Sequence, residues 1–161
     1  MDSYNINKLT ENEAKKLIKA EKFPDDIMDF NDVFNQIVNT ILDVEPGMYS
    51  CSVHDFQNQI IYNMINRQSN KSDKFSICLM FENNVHLIRF DFGSKDELKH
   101  KNNWKTAKEH YVRGSHVHIL ANSNKNVPKN VIPIDHINEF RNLKTMKDAF
   151  QEAIKYLNIK K

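Results

Sequence analysis

"FSICLMFENNVHLIRFDFG", residues 75–93, decides the fold. Two β-rich runs flank Glu82-Asn83-Asn84, and asparagine tolerates the positive φ that a tight hairpin turn needs. Side chains alternate across a strand. Leu87, Arg89 and Asp91 therefore share one face, and His86, Ile88, Phe90 and Phe92 share the other. Ile88, Phe90 and Phe92 seek the core, which leaves Arg89 and Asp91 on the opposite side.

Downstream, residues 94–110 ("SKDELKHKNNWKTAKEH") are a polar, basic excursion that contains Trp104. Strand character resumes at Gly114 with "GSHVHILA", where His116 and His118 point one way and Val117 and Ile119 the other. If this strand pairs with the one ending at Phe92, Arg89, Asp91, His116 and His118 converge on one face. The connection, about twenty residues, exceeds the roughly 12–15 beyond which loops are usually functional or mobile. The loop "NSNKNVPKN" and the short segment "VIPI" follow.

Helices are expected at both ends. Thr10 and Glu13 form a capping box ahead of "EAKKLIKAEK", a short amphipathic helix that ends near Phe23-Pro24. The strongest helical period runs from Phe30 to Val44 through Val33, Phe34, Ile37, Val38, Ile41 and Leu42, with Asn31 as its cap. "EPG" stops it, and strand character follows, although "QNQIIYNMIN" fits strand or helix. Thr145 and Asp148 cap a C-terminal helix striped by Met146, Ala149, Phe150, Ala153, Ile154 and Leu157. No repeat or linker interrupts the 161 residues. A single α+β domain is expected, with a small antiparallel sheet, N-terminal helices and a C-terminal helix.

Composition narrows the function classes. Apolar residues make up 40%, including ten phenylalanines, which suffices for a core without disulfides or a structural metal. A net charge of +2 is too small for a general nucleic-acid coat, although a local basic patch remains compatible with it. Cys51 and Cys78 are far apart and form no CxxC pair, the N-terminus is polar, and no apolar run reaches membrane-spanning length. These features point to a cytoplasmic protein with free thiols and no membrane contact.

Arg89, Asp91, His116 and His118, joined by His100 from the excursion, are the candidate catalytic residues. Together they offer a fixed charge, a carboxylate to orient a ring, and groups that titrate near neutrality. Lys101, Asn102, Lys105 and Arg113 are the candidate substrate-binding residues, with Lys99 and Lys108 beside them; a solvated loop balanced by Asp96, Glu97 and Glu109 is the plainer alternative. His54, His86 and His136 lack patterned neighbours and read as structural or surface residues, and Trp104 as a loop anchor. A His-x-His pair completed by His100 or Asp91 also has the donors of a zinc site. No cysteine joins the set, however, and Arg89 brings positive charge, so neither metal nor cofactor is expected.

"LTENEAKKLIKAEK", "HLIRFDFG", "HKN", "GSHVHIL" and "FQEAIKYLNI" occur in an order that resembles an uncharacterised bacterial family, a domain of unknown function with LTxxEAxxLI, LxRxD, HxN and GxHxH motifs. The likeness covers the first twenty residues and most of 85–159, and fits residues 24–70 poorly. The family's "NPDG" after its histidine is replaced here by "NWKT". Relatives resemble small proteins of prophages, mobile elements and toxin–antitoxin-like loci. The resemblance supplies no activity, but the residues and this context together give the expectation of a toxin-like or phage-defence protein acting on RNA or nucleotides through the histidine, arginine and aspartate cluster. The alternative is a non-catalytic, element-encoded inhibitor of a host defence protein, anti-CRISPR-like, or an antitoxin-like partner.

Overall fold

The computed structural model describes residues 4–26, 29–34, 47–69, 74–96, 98–101, 111–120 and 130–160. In chain order its strands are β1 (Phe23–Pro24), β2 (Gly47–Asp55), β3 (Ile60–Gln68), β4 (Phe75–Met80), β5 (His86–Phe92), β6 (Lys99–Lys101), β7 (Tyr111–Arg113), β8 (His116–Ile119) and β9 (Asn130–Pro133). Seven of them form one sheet in the order β1-β2-β3-β4-β5-β8-β9, every pair antiparallel, while β6 and β7 pair separately. Helices are α1 (Glu11–Lys19), α2, which is helical over 30–34, and α3 (Met146–Tyr156). The class is α+β.

The β4–β5 hairpin turns as the asparagines predict. Asn84 adopts φ 64°, the Asn83 side chain accepts from the Val85 N–H at 3.1 Å, and Phe81 N–H donates to the Val85 carbonyl at 2.9 Å. Ile88, Phe90 and Phe92 then stand beside Leu79, Ile77 and Phe75 on the face that α1 and α3 cover. Aromatic rings fill that interface: Phe90 packs on Phe140 at 5.3 Å and edge-on to Tyr156 at 6.0 Å, and Phe75 meets Phe92 at 5.8 Å. A β-bulge changes the expected alternation at the start of β5: Met80 pairs with His86 and Leu79 with Ile88, so Leu87 is the extra residue and is fully buried in the hydrophobic core rather than on the face of Arg89 and Asp91.

Several sequence expectations change. The α2 cap is Asp29 rather than Asn31: its carboxylate accepts from the Asn31 N–H at 3.2 Å and its carbonyl from the Val33 N–H at 3.0 Å. The rest of the expected 30–44 helix lies outside the described residues. The ambiguous segment 57–66 resolves as a turn followed by β3, held in register on both sides. The basic excursion contributes a strand, because β6 pairs with β7 (Lys99 opposite Arg113, Lys101 opposite Tyr111). Its neck is closed by Ser115. The Ser115 Oγ accepts from the Gly93 N–H at 3.0 Å and donates to the Gly93 carbonyl at 3.2 Å, while Gly114 N–H donates to the Leu98 carbonyl at 2.8 Å.

The two capping-box helices are tied together at their C-termini. α1 ends at Lys19, earlier than Phe23-Pro24, because Ala20 turns extended. α3 stops with Asn158 at φ 54°, where Ile159 N–H donates to the Ile154 carbonyl and Asn158 N–H to the Lys155 carbonyl, a Schellman closure. Between the two ends sits Lys22, fully buried. Its Nζ donates to the carbonyls of Ile18 (2.8 Å), Ala20 (2.7 Å) and Leu157 (2.9 Å). An ammonium has one N–H for each, and two negative helix ends converge on its charge.

Lys22→Met should therefore lower stability by about 3 kcal/mol in denaturant unfolding, since three carbonyls lose a charged donor. Burial, opposed by the Asp55 charge, lowers the Lys22 pKa from 10.5 to about 7. Between those values the unfolded chain holds more protons than the folded one. The stability of wild type relative to Lys22→Met should then rise as pH climbs from about 7 toward about 10, as paired unfolding curves would measure.

Candidate functional site

β5 and β8 meet in the register that unites the four motif residues: Arg89 opposes His118 and Asp91 opposes His116, all on the face away from α1 and α3. Asp91 Oδ2 is the hub. It accepts from Arg89 Nε and Nη2, both at 2.9 Å, and lies 3.3 Å from His116 Nε2 and 3.1 Å from His118 Nε2. Arg89 Nη2 is also 2.9 Å from His118 Nε2. Exposure grades outward across the cluster. The His116 and His118 side chains are 4% and 3% exposed, Asp91 17% and Arg89 31%, so the guanidinium faces solvent and the imidazoles form the floor.

Proton positions follow from the partners. His116 Nδ1 is 2.8 Å from the Gly114 carbonyl, which only accepts, so Nδ1 carries a hydrogen. Its Nε2 then faces the Asp91 carboxylate either as N–H of the imidazolium or as a lone pair. His118 Nε2 is shared between a donor-only guanidinium and an acceptor-only carboxylate, and its protonation decides which contact is a hydrogen bond. Burial raises the Asp91 pKa. Hydrogen bonds from His116 and His118 and the Arg89 charge outweigh it and hold the carboxyl well below the usual range. Burial pulls His118 down, assisted by Arg89 and opposed by Asp91. The outcome is a fixed anion beside a neutral-leaning imidazole.

The remaining predicted residues divide. Arg113 lies on β7, exposed, and lines a cleft of about 980 Å³ together with Lys95, Gly114, Ser115 and His136. This cleft adjoins the cluster through Gly114 and does not lie over it. Lys101 and His100 are on β6, but their side chains lie outside the described residues, as do Asn102, Lys105, Lys108, Trp104 and His110. Lys99 stacks its Nζ over the Tyr111 ring at 4.1 Å. His54 pairs with Asp25 at 2.7 Å, a structural role as expected.

Several contributors escape sequence reasoning. The row through Asp91 and His116 continues into Ser76 on β4 and Arg67 on β3. Arg67, Ser76 and Asp91 line a second hollow of about 230 Å³ with Lys74 and Ser69. Cys78, directly opposite Arg89, is 1% exposed, and burial pushes its thiol up to about 12, so it is an inert wall. Alternation within "FSICLM" would have placed Ser76 and Cys78 here once the hairpin register was set. Arg67 had no such local signal. Asp91→Asn should cost about 3 kcal/mol of stability by chemical denaturation, because two buried imidazoles and the guanidinium at their rim lose a shared counter-charge.

No curated protein and no solved structure matches the chain. A family model aligns with residues 9–159, including the 24–70 segment that the motif resemblance fits poorly. With nearly the whole sequence matched, the chain belongs to a family of unknown function, DUF6978.

Proposed function

We propose that the cluster acts on phosphoryl groups of RNA or a nucleotide, in a toxin-like or phage-defence protein of the cytoplasm. The observation that carries the reading is the layering: a solvent-facing guanidinium above a buried carboxylate and two imidazoles whose basic atoms share one point. Arg89 neutralises charge that develops on a phosphoryl oxygen. One imidazole acts as general base on the attacking hydroxyl, which RNA supplies as its own 2′-OH, the second is its partner, and Asp91 orients the rings. Lys95 and Arg113 in the large cleft and Arg67 and Lys74 in the smaller hollow give phosphates two cationic approaches.

A second reading has its own observation. Phe23, His54 and Ile61 form a row across β1–β3, Phe56 stacks on His54 and leans tilted against Phe23, and Phe23, Phe56 and Ile61 are 38%, 66% and 46% exposed. Such an apolar patch suits an inhibitor or antitoxin-like protein that binds a host or cognate partner.

Induced expression in a bacterial host separates the two. Wild type should slow growth and fragment RNA, and Arg89→Ala, His116→Ala and His118→Ala should each lower cleavage by about 100-fold or more while remaining folded by circular dichroism. Intact RNA with wild type, together with partner capture that Phe56→Ser abolishes, would replace catalysis with the binding reading.

A further inference from the structure

We propose that Asp91, His116 and His118 bind one divalent first-row transition-metal cation, through Oδ2 and the two Nε2 atoms. Among the described residues they form a three-ligand set whose donor atoms all lie within 4.8 Å of one another. Bonds of about 2.0–2.1 Å meeting at a tetrahedral angle place neighbouring ligand atoms about 3.3 Å apart. The observed Oδ2–Nε2 separations are 3.3 and 3.1 Å, so two of the three ligand edges match this spacing, and the third, between the imidazoles, is no longer than 4.8 Å.

Proton bookkeeping leads to the same point. The Gly114 carbonyl takes the Nδ1 hydrogen of His116, as outer-shell acceptors do for metal-bound histidines, and directs a lone pair from Nε2 toward Asp91 in the neutral ring. His118 Nε2, 2.9 Å from a guanidinium that only donates, also presents a lone pair. With both rings neutral, two imidazole nitrogens and a carboxylate oxygen aim lone pairs into one space, where a cation satisfies them: the Arg89 guanidinium in this structure, or a metal ion in its place. Nitrogen-rich donors favour zinc, iron, copper or nickel over magnesium, calcium or manganese. Three protein ligands leave a position for water or substrate, as catalytic rather than structural sites do.

Arg89 is the competitor. Its Nη2 contacts both Oδ2 and His118 Nε2, so it supplies the positive charge the acceptors require; it is also the most exposed member and the one able to withdraw. This revises the sequence expectation of no metal, which weighed Arg89 as a permanent neighbour. Metal occupancy does not depend on the phosphoryl-transfer reading. Where both hold, the ion activates the attacking oxygen that the basic cluster otherwise activates directly.

The test uses the full chain, stripped with chelator and titrated with Zn²⁺ by calorimetry, with Co²⁺ ligand-field absorption as a second readout. One Zn²⁺ per chain is expected. His116→Ala, His118→Ala and Asp91→Asn should each weaken binding by about 100-fold, and His136→Ala, outside the cluster, should leave it unchanged. Arg89→Ala should tighten binding by about tenfold, a gain that misfolding cannot mimic. No stoichiometric binding by either wild type or Arg89→Ala overturns the site, as does binding indifferent to the three ligand variants. RNA cleavage is scored separately. Cleavage without bound metal sinks the site and spares the phosphoryl-transfer reading; binding without cleavage does the reverse.

Discussion

The antiparallel register of β5 against β8 is the constraint on which the site depends, since it sets Arg89 opposite His118 and Asp91 opposite His116. A slip of one residue would turn both histidines into the aromatic core and Val117 and Ile119 onto the polar face. The core guards against that slip, because Val117 and Ile119 are buried beside Phe90 and Ile88. Hydrophobic pairing on one face thus determines a polar constellation on the other.

That constellation is costly to bury. A carboxylate, a guanidinium and two imidazoles lose hydration, and their mutual attraction repays only part of the loss. Apolar residues of similar volume would serve stability at least as well in a sheet already rich in phenylalanine and isoleucine. Their presence in one contact network, graded from a dry floor to a wet rim, fits a chemical role better than a structural one.

Local chemistry was legible where a rule of short range applied. The capping boxes at Thr10 and Thr145, the asparagine turn after Phe81, and the strand alternation of residues 88–92 and 116–119 each follow from backbone geometry over a few residues, whereas the bulge that takes Leu87 into the core does not. The convergence of Arg89, Asp91, His116 and His118 followed once the strands were assumed adjacent. What stayed hidden needed long-range partners. Lys22 looks like any surface lysine until Leu157, distant in sequence, brings its carbonyl alongside. Arg67 enters the site row only through two successive strand pairings. The Asn31 cap failed because Asp29, two residues earlier, offers the stronger acceptor at the helix start.

The seal that Ser115 makes with Gly93 has an evolutionary consequence. Because the strands on either side are stitched at the root of the 94–114 arm, whatever is spliced into its far end pays little: doubling such a loop adds only about 0.6 kcal/mol of closure entropy. Length and sequence can therefore change within the arm while Arg89, Asp91, His116 and His118 keep their places.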